Sequence, residues 1–575
     1  MRQHLLYKNV AFLSGNEALA RGAYEAGLTV ACSYPGTPAS EILEYLSGFD
    51  EVDSQWSVNE KVAFEVALSS AIGGCRALFA SKHVGINVAM DALMTSAYTG
   101  INAGFVVVSC DDPGIHSSQN EQDNRLIAKL AKIPLIEPSS PPEAKEFVKA
   151  AFKISETFDT PVMVRLTTRI AHTKENVILG KRKEVPRKEF NIDIEKYVMV
   201  PRNAYKRHIE LENRIEKLKK YAEIVPLTTI ELNNRKMGFI TSGVSYLYAK
   251  EMYPDASFLK LGFSFPFPQE KIKTFASKVK ELYVVEELEP FIEEELRSIG
   301  VKFKSKHPSF RVGELRPEQI PYIVKYKKKA EEPSPSRKPV LCPGCPYRQV
   351  FWVLKKLKVV VAGDIGCYTL GALAPLNSLH TCLCMGSGVT FLEGFRKTLG
   401  KNTVGVIGDS TFVHSGITGL INLAYNKTNG VVLILDNATT GMTGNQPHPG
   451  TGVTIKNAKT KKLILEDICK ACGADNVEVI NPYHVKELEE LIRKRVKEDA
   501  LSVIISRFPC RLIERKKMPL PEYKRELCKT CYVCLTINCP AVEKIENGAI
   551  RINPTICSGC NLCVAVCKFG ALSKT

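Results

Sequence analysis

Apolar positions along the chain fall into short runs separated by amphipathic stretches, the pattern of buried parallel strands alternating with helices. Val106-Val107-Val108 and Pro161-Val162-Met163-Val164 are runs of this kind, and residues 1–175 read as one α/β domain built from them. Thr37 and Pro38 predict a helix start, with Thr37 as N-cap and Pro38 at the first helical position. Residues 176–235 are charged and helix-prone, as in IELENRIEKLKKYAEI, and predict a helical connecting segment. Another α/β unit over 236–320 opens with the strand and turn KMGFITSGVS and continues through LYVVEE. The charge- and Pro-rich KYKKKAEEPSPSRKP marks a linker over 321–340. Strand–helix alternation returns over 341–515. There TVGVIG (403–408) predicts a strand, a helix follows from about Ser415, and VVLIL (431–435) predicts a second strand. Residues 520–575 are short of periodic pattern and dense in cysteine.

Composition narrows the class. The 575 residues suit about three to four domains. No run of 18 or more apolar residues occurs, so no membrane-spanning helix is expected. The start, MRQHLLYKNVAFLSGNEALARG, lacks the apolar stretch and cleavage site of a secretory signal, and a cytoplasmic protein is expected. Nineteen cysteines in such a chain argue for metal rather than for disulfides. The net charge of +17 suits nucleic acid, anionic lipid or acidic protein partners, or a lysine-rich surface tuned for solubility. Three four-thiolate [4Fe–4S] sites would lower it to about +11. The basic residues are spread over the chain with no aromatic-interleaved stripe, which disfavours a zinc-knuckle nucleic-acid protein.

The cysteines carry the sharpest signal. Cys528, Cys531, Cys534 and Cys539 precede a second run, Cys557, Cys560, Cys563 and Cys567, with the first three members of each run 29 residues apart. The pattern resembles the bacterial two-cluster ferredoxin, in which the fourth cysteine of each run ligates the other cluster. That resemblance implies one [4Fe–4S] site from Cys528, Cys531, Cys534 and Cys567, and another from Cys539, Cys557, Cys560 and Cys563. A pair of structural zinc sites is the alternative. The first run has one extra residue before Cys539, and Lys568 stands where a proline is usual. A third group, Cys342, Cys345, Cys367 and Cys510, contains a single CxxC, alone a weak signal. Cys32, Cys75, Cys110, Cys382, Cys384, Cys469 and Cys472 are expected to be core thiols.

A second chemistry sits between the two strands of the 341–515 domain. If the strands are parallel, Gly408-Asp409-Ser410 and Asp436-Asn437 lie on the side where open α/β sheets bind ligands. Asp409 and Asn437, with Thr439 as a third contributor, suit Mg²⁺ carrying phosphate oxygens. The spacing resembles the GDG…N thiamine diphosphate motif, with Ser410 in place of its third glycine. The Gly- and Pro-rich loop 441–450 reads as a functional cover.

Thiamine diphosphate and two ferredoxin-type clusters in one chain resemble the 2-oxoacid:ferredoxin oxidoreductase family. The motifs that carry the likeness are KHVGINVAMD (82–91), SCDDPGIHSSQNEQDNR (109–125), CPGCPYR (342–348), GDSTFVHSGITGL (408–420) and NQPHPG (445–450). The resemblance implies an α/β fold with two thiamine diphosphate-binding parallel-sheet domains, pyrimidine-binding and then diphosphate-binding. Between them it implies a Rossmann-like, transketolase-C-terminal-like α/β domain, and at the C terminus a two-cluster ferredoxin-like domain. It implies that Thr37 of Tyr34-Pro-Gly-Thr37-Pro lies near substrate and cofactor, and that Glu60 is the carboxyl activating the cofactor, with Glu65 the competing candidate. Lys82 and His83 would line the cofactor pocket, and Gly408, Asp409, Ser410, Asn437, Met442 and Thr443 would hold its diphosphate side. It also implies a proximal [4Fe–4S] cluster on Cys342, Cys345, Cys367 and Cys510. Related pyruvate enzymes place an arginine near position 110; here Val108-Ser109-Cys110-Asp111 has none. The implied activity is oxidative decarboxylation of an aryl 2-oxo acid, indolepyruvate foremost, with CoA as co-substrate and ferredoxin as electron acceptor. The alternatives are pyruvate as substrate, or a non-redox thiamine decarboxylase. A smaller β subunit in an α2β2 assembly and an anaerobic setting are also implied, with no membrane or nucleic-acid partner.

Overall fold

The computed structural model describes residues 9–330, 339–514, 518–546 and 548–574. The chain divides into two compact units, 1–332 and 333–575. In the first, a seven-stranded sheet runs in the order Phe263–Phe265, Leu135–Ile136, Val162–Thr167, Phe105–Asp111, Ala77–Lys82, Val30–Ser33, Asp53–Trp56. Its pairings are parallel except that of Phe263–Phe265 with Leu135–Ile136. Every residue of Phe105–Asp111 and Val162–Thr167 is buried, which is why their apolar stretches do not alternate with polar positions. Helix starts follow local chemistry. Ser14 and Glu17 form a capping box at Gly15–Glu25, and Ser140 caps Pro141–Phe158 with proline in its first turn.

The second α/β segment forms a four-stranded sheet in the order Glu281–Val285, Asn234–Thr241, Ala256–Lys260, Thr229–Glu231. It is not separate from the first. Its strand Phe263–Phe265 completes the seven-stranded sheet, and one apolar core joins Phe64, Phe79 and Phe105 to Leu259, Phe275 and Phe291. A buried ionic network adds to this. Arg125 donates to Asp123, to Glu286 and to the carbonyls of Glu287 and Glu289, and Arg165 donates to Asp111 and Glu137.

The second unit carries a five-stranded, all-parallel sheet in the order Val360–Ala362, Thr403–Gly408, Gly430–Asp436, Leu501–Arg507, Asn476–Ile480. The cysteine-rich tail adds two short antiparallel pairs, Glu522–Tyr523 with Leu572–Ser573 and Val542–Lys544 with Ile550–Ile552. Its apolar residues Ile537, Ile550, Leu562, Val566 and Leu572 share a core with Tyr347, Phe351 and Leu354 of the helix Tyr347–Leu357.

Several expectations are corrected. The helix expected at Thr37 begins at Ser40, because the Ala39 N–H closes a turn on Gly36 O (2.7 Å) and Ser40 itself takes the Gly36 N–H. The helix expected from about Ser415 winds up directly at the strand end, as Asp409–Thr411, a wide π-type turn Phe412–Gly416 and Ile417–Tyr425. The strand Lys174–Ile178 crosses position 175 and pairs with Val10–Ser14. The segment beyond it does contain a long helix, Pro201–Ala222. Residues 321–324 of the expected linker belong to the helix Ile320–Val324, held by buried Ile320 and Ile323, while 331–338 lie outside the described residues. Cys384 is exposed, and Cys75, Cys382 and Cys472 are only half-buried, so these four are not core thiols. No helix among the described residues is long and apolar enough to cross a membrane.

Candidate cofactor and cluster sites

In the first unit the parallel strands deliver their following loops to one edge of the sheet. Asn59 caps the helix Glu60–Ile72 by accepting the Val62 N–H at 2.9 Å, which puts Glu60 in the first turn. Glu60 is buried, and a Cβ on Gly85 would lie 2.5 Å from its Oε1, so the glycine leaves the space that the carboxyl fills. Glu65 instead faces solvent and pairs with Lys61. Lys82 ends the next strand and donates to the Ser117 carbonyl. Burial pulls its pKa down to about 8, against the opposing pull of Asp112. His83 is fully buried with Nε2 3.1 Å from Asn120 Oδ1, while its Nδ1 has no partner. Such an orphan suits a bound polar group. Thr37 meets the same loop, its carbonyl accepting from Ser117 Oγ at 3.3 Å.

In the second unit Asp409 follows the strand Thr403–Gly408, and Asn437 follows its parallel neighbour. Asp409 Oδ2 accepts the N–H groups of Asn437 (3.2 Å) and Ala438 (2.9 Å) and lies 3.2 Å from His448 Nε2. Burial and then the charge of Asp409 push the Asp436 carboxyl up, while Arg507 binds it at 2.6 Å. Asp436 is compensated by Arg507, but the buried Asp409 carboxylate and the Asn437 amide oxygen at one sheet edge are donors that suit a divalent cation. Asn437 Oδ1 takes the Thr439 N–H, and Ser410 Oγ is 3.0 Å from Thr440 Oγ1. In the loop beyond, Thr443 and Gln446 tie to one another while Met442 is exposed.

The same loop reaches the third cysteine group. Cys510 N–H donates to Asn437 O at 3.0 Å, and a Cβ on Gly441 would lie 3.3 Å from Asn437 Nδ2 and 3.7 Å from Cys367 Sγ. Cys342, Cys345, Cys367 and Cys510 lie close enough to influence one another, and burial pushes the thiols of Cys345 and Cys367 up to about 12 and about 11. The tail brings its eight cysteines around two hollows. One is lined by Cys528, Cys531, Cys534 and Cys567, the other by Cys539, Cys557, Cys560 and Cys563. Four thiols around each hollow suit a [4Fe–4S] cluster.

Comparison with known proteins shows the family. A family model described as "Pyruvate flavodoxin/ferredoxin oxidoreductase, thiamine diP-bdg" matches residues 21–221. "Thiamine pyrophosphate enzyme, C-terminal TPP binding domain" matches 364–506, and "4Fe-4S binding domain" matches 550–573. The indolepyruvate oxidoreductase subunit IorA of Archaeoglobus fulgidus is 39% identical over 98% of this chain and 97% of its own length. The chain belongs to the indolepyruvate oxidoreductase subunit IorA family. The IorA of Pyrococcus horikoshii is likewise 39% identical, over 98% of this chain and 96% of its own. A more distant relative is the A. fulgidus 2-oxoglutarate synthase subunit KorA, 27% identical over 48% of this chain and 87% of its own. Among solved structures, a 2-oxoglutarate:ferredoxin oxidoreductase from Magnetococcus marinus matches with a TM-score of 0.47 and 15% identity, over 55% of this chain and 65% of that one. Membership in the IorA family makes the chain an oxidoreductase of the 2-oxoacid family, with thiamine diphosphate and iron–sulfur centres.

Four residues with clear structural parts were not singled out from sequence. His448 and Arg348 lay inside motifs read only as wording, and Asp364 inside GDIGC, read only for its cysteine. Asp364 accepts the Ile365, Gly386 and Gly388 N–H groups, yet burial pushes its pKa up to about 7. Tyr483 carried no sequence signal; its hydroxyl donates to Gly344 O.

Proposed function

We propose that this chain is the large subunit of an enzyme that oxidatively decarboxylates aryl 2-oxo acids, indolepyruvate foremost, to aryl-acetyl-CoA and CO₂, passing electrons to ferredoxin. The observation that carries the reading is the hydrogen bond from Cys510 N–H to Asn437 O, at 3.0 Å, together with the 3.7 Å approach of the Gly441 position to Cys367. A diphosphate-type strand end that abuts four cysteines has no use in non-redox thiamine chemistry. It has an obvious one where electrons must leave singly.

Bound thiamine diphosphate supplies a nucleophilic carbon and an electron sink for decarboxylation. Glu60, with its carboxyl buried in the first turn of its helix, would exchange a proton with the pyrimidine end of that cofactor. Lys82, His83 and Thr37 would orient that end. Asp409, Asn437 and Thr439 would hold Mg²⁺, with Gly408, Ser410, Met442 and Thr443 along the diphosphate. Cys342, Cys345, Cys367 and Cys510 would hold a proximal cluster. The set Cys539, Cys557, Cys560 and Cys563 would come next, because Gly344 of the CPGC loop abuts Ser558. The set Cys528, Cys531, Cys534 and Cys567 would be last, since the contact with the CPGC loop is made by the other hollow's Ser558. A smaller subunit, in an α2β2 assembly, is proposed because the relatives are named as subunits.

The test uses anaerobically purified protein with its small subunit, thiamine diphosphate, Mg²⁺ and CoA. Visible absorbance bleaching on addition of indolepyruvate but not pyruvate is expected. Bleaching with pyruvate alone overturns the substrate. No bleaching by any 2-oxo acid, with iron and thiamine both bound, overturns the redox reading.

A further inference from the structure

A fully buried arginine with no carboxylate partner among the described residues stands between two of the cysteine sets. Arg348 is 1% exposed. All the hydrogen bonds it makes go to backbone carbonyls: Nη1 to Ile537 (2.8 Å) and Asn538, Nη2 to Leu341 and Cys342 (3.0 Å). Its Nε has no partner. Leu341 and Cys342 belong to the CPGC loop, and Ile537 and Asn538 immediately precede Cys539. Arg348 also lines the hollow of Cys539, Cys557, Cys560 and Cys563. Its charge is felt at Cys342 and Cys345 on one side and at Cys560 on the other.

Carbonyl dipoles satisfy four of the five guanidinium N–H groups but leave the net charge uncompensated. A buried, unpaired guanidinium is strongly unfavourable, so the site is complete only when something anionic adjoins it. A [4Fe–4S] centre on four thiolates is such a group, since its net charge is negative and becomes more so on reduction. Hydrogen bonds to cluster sulfurs and nearby charge are the protein's means of setting its potential.

We propose that Arg348 is the counter-ion and positioning residue of the cluster on Cys539, Cys557, Cys560 and Cys563: its Nε–H donates to a sulfur of that cluster, and its four carbonyl bonds fix the two ligand loops. The inference rests on the cluster reading above. The electron that reduces this cluster comes from the preceding centre, with no bond made or broken. The fixed positive charge favours the reduced state, raises the midpoint potential and draws electrons outward from the cofactor-side set.

The test compares wild type, Arg348→Gln and Arg348→Lys in the anaerobic holoenzyme. Iron and sulfide are assayed first, and each cluster's midpoint is then read by EPR-monitored redox titration. Arg348→Gln is expected to retain the clusters with one midpoint shifted to lower potential, and Arg348→Lys to lie nearer wild type. Full iron and sulfide in Arg348→Gln with every midpoint unchanged overturns the proposal. If that variant loses its clusters, pulsed EPR on reduced wild-type enzyme carrying ¹⁵N-arginine decides. A ¹⁵N coupling at a cluster is expected, and its absence overturns the proposal. Wild-type enzyme devoid of iron would overturn the cluster reading itself.

Discussion

Replacing Glu60 by glutamine tests the pyrimidine-side assignment most directly. The substitution keeps the side chain's volume and its capacity for hydrogen bonding but removes the exchangeable carboxyl proton. Positioned proton transfer contributes about 10²–10⁴-fold, or roughly 3–5 kcal/mol of barrier. Glu60 sits in a turn capped by Asn59, is 6% exposed and is packed onto Gly85, so there is little room for water to substitute. The upper half of that range, about 10³-fold or more in kcat, is therefore expected. Stability should hardly move, since glutamine fills the same space beside Gly85 and keeps the hydrogen-bonding atoms. The assay is substrate-dependent reduction of ferredoxin at saturating thiamine diphosphate, with thermal unfolding alongside. Glu65→Gln is the control, because Glu65 is exposed and paired with Lys61, and it should behave as wild type. An E60Q enzyme within about threefold of wild-type kcat would refute the assignment.

Gly85→Ala places a Cβ 2.1 Å from Ser81 Oγ and 2.5 Å from Glu60 Oε1, so it should lower kcat through displacement of Glu60, with the carboxyl chemically intact; normal kinetics would count against the packing. Gly344 has φ 68° and would put a Cβ 1.9 Å from Ser558 Oγ, so Gly344→Ala should force the CPGC loop and the tail apart and slow the second cluster's reduction in rapid-freeze EPR. Arg125→Met strands Asp123 and Glu286 and should destabilise by about 3–5 kcal/mol, read as a lower Tm. Burial raises the Asp123 pKa, but Arg125 and Arg165 more than reverse this and hold it at about 2, so its contribution is present above its unfolded value of roughly 4 and is lost as pH falls to about 2. In Arg125→Met that acid-side fall should flatten, and an unchanged pH profile would contradict the charge assignment.

Legibility followed how local each signal was. The strands Thr403–Gly408 and Gly430–Asp436 were readable because full burial makes an uninterrupted apolar run. The helical turn at Asp409 is hidden in sequence because Ser410, Thr411 and His414 break any apolar stripe, while Asp409 is anchored by the N–H groups of the neighbouring strand's loop. Thr37 and Pro38 gave a local cap signal that the turn 36–39 overrides. The separation of the first two α/β segments was overestimated because the strand that joins them, Phe263–Phe265, has only three residues and its pairing is non-local. His448 and Arg348 act through contacts 39 and about 190 residues away, which no window of sequence can display.

The second unit's core bears on why the clusters are part of this chain at all. Electron transfer weakens steeply with distance, so a cluster domain on a free tether would be an unreliable partner for a fixed cofactor. Here Leu562 and Val566, which flank Cys563 and Cys567, are buried in the same cluster as Tyr347, Phe351 and Leu354. Those three residues lie on the helix Tyr347–Leu357, which begins two residues after Cys345. Burying such a side chain is worth roughly 1.5–3 kcal/mol, so releasing the tail means opening the core that carries the CPGC loop. The spacing from Asn437 through Cys510 to the tail is thereby set by folding. It follows that truncating Val566 to alanine, a core residue that lines neither hollow, should slow electron transfer between the cysteine sets before it lowers iron content. Loss of iron with intercluster rates intact would show instead that the tail's position owes nothing to the shared core.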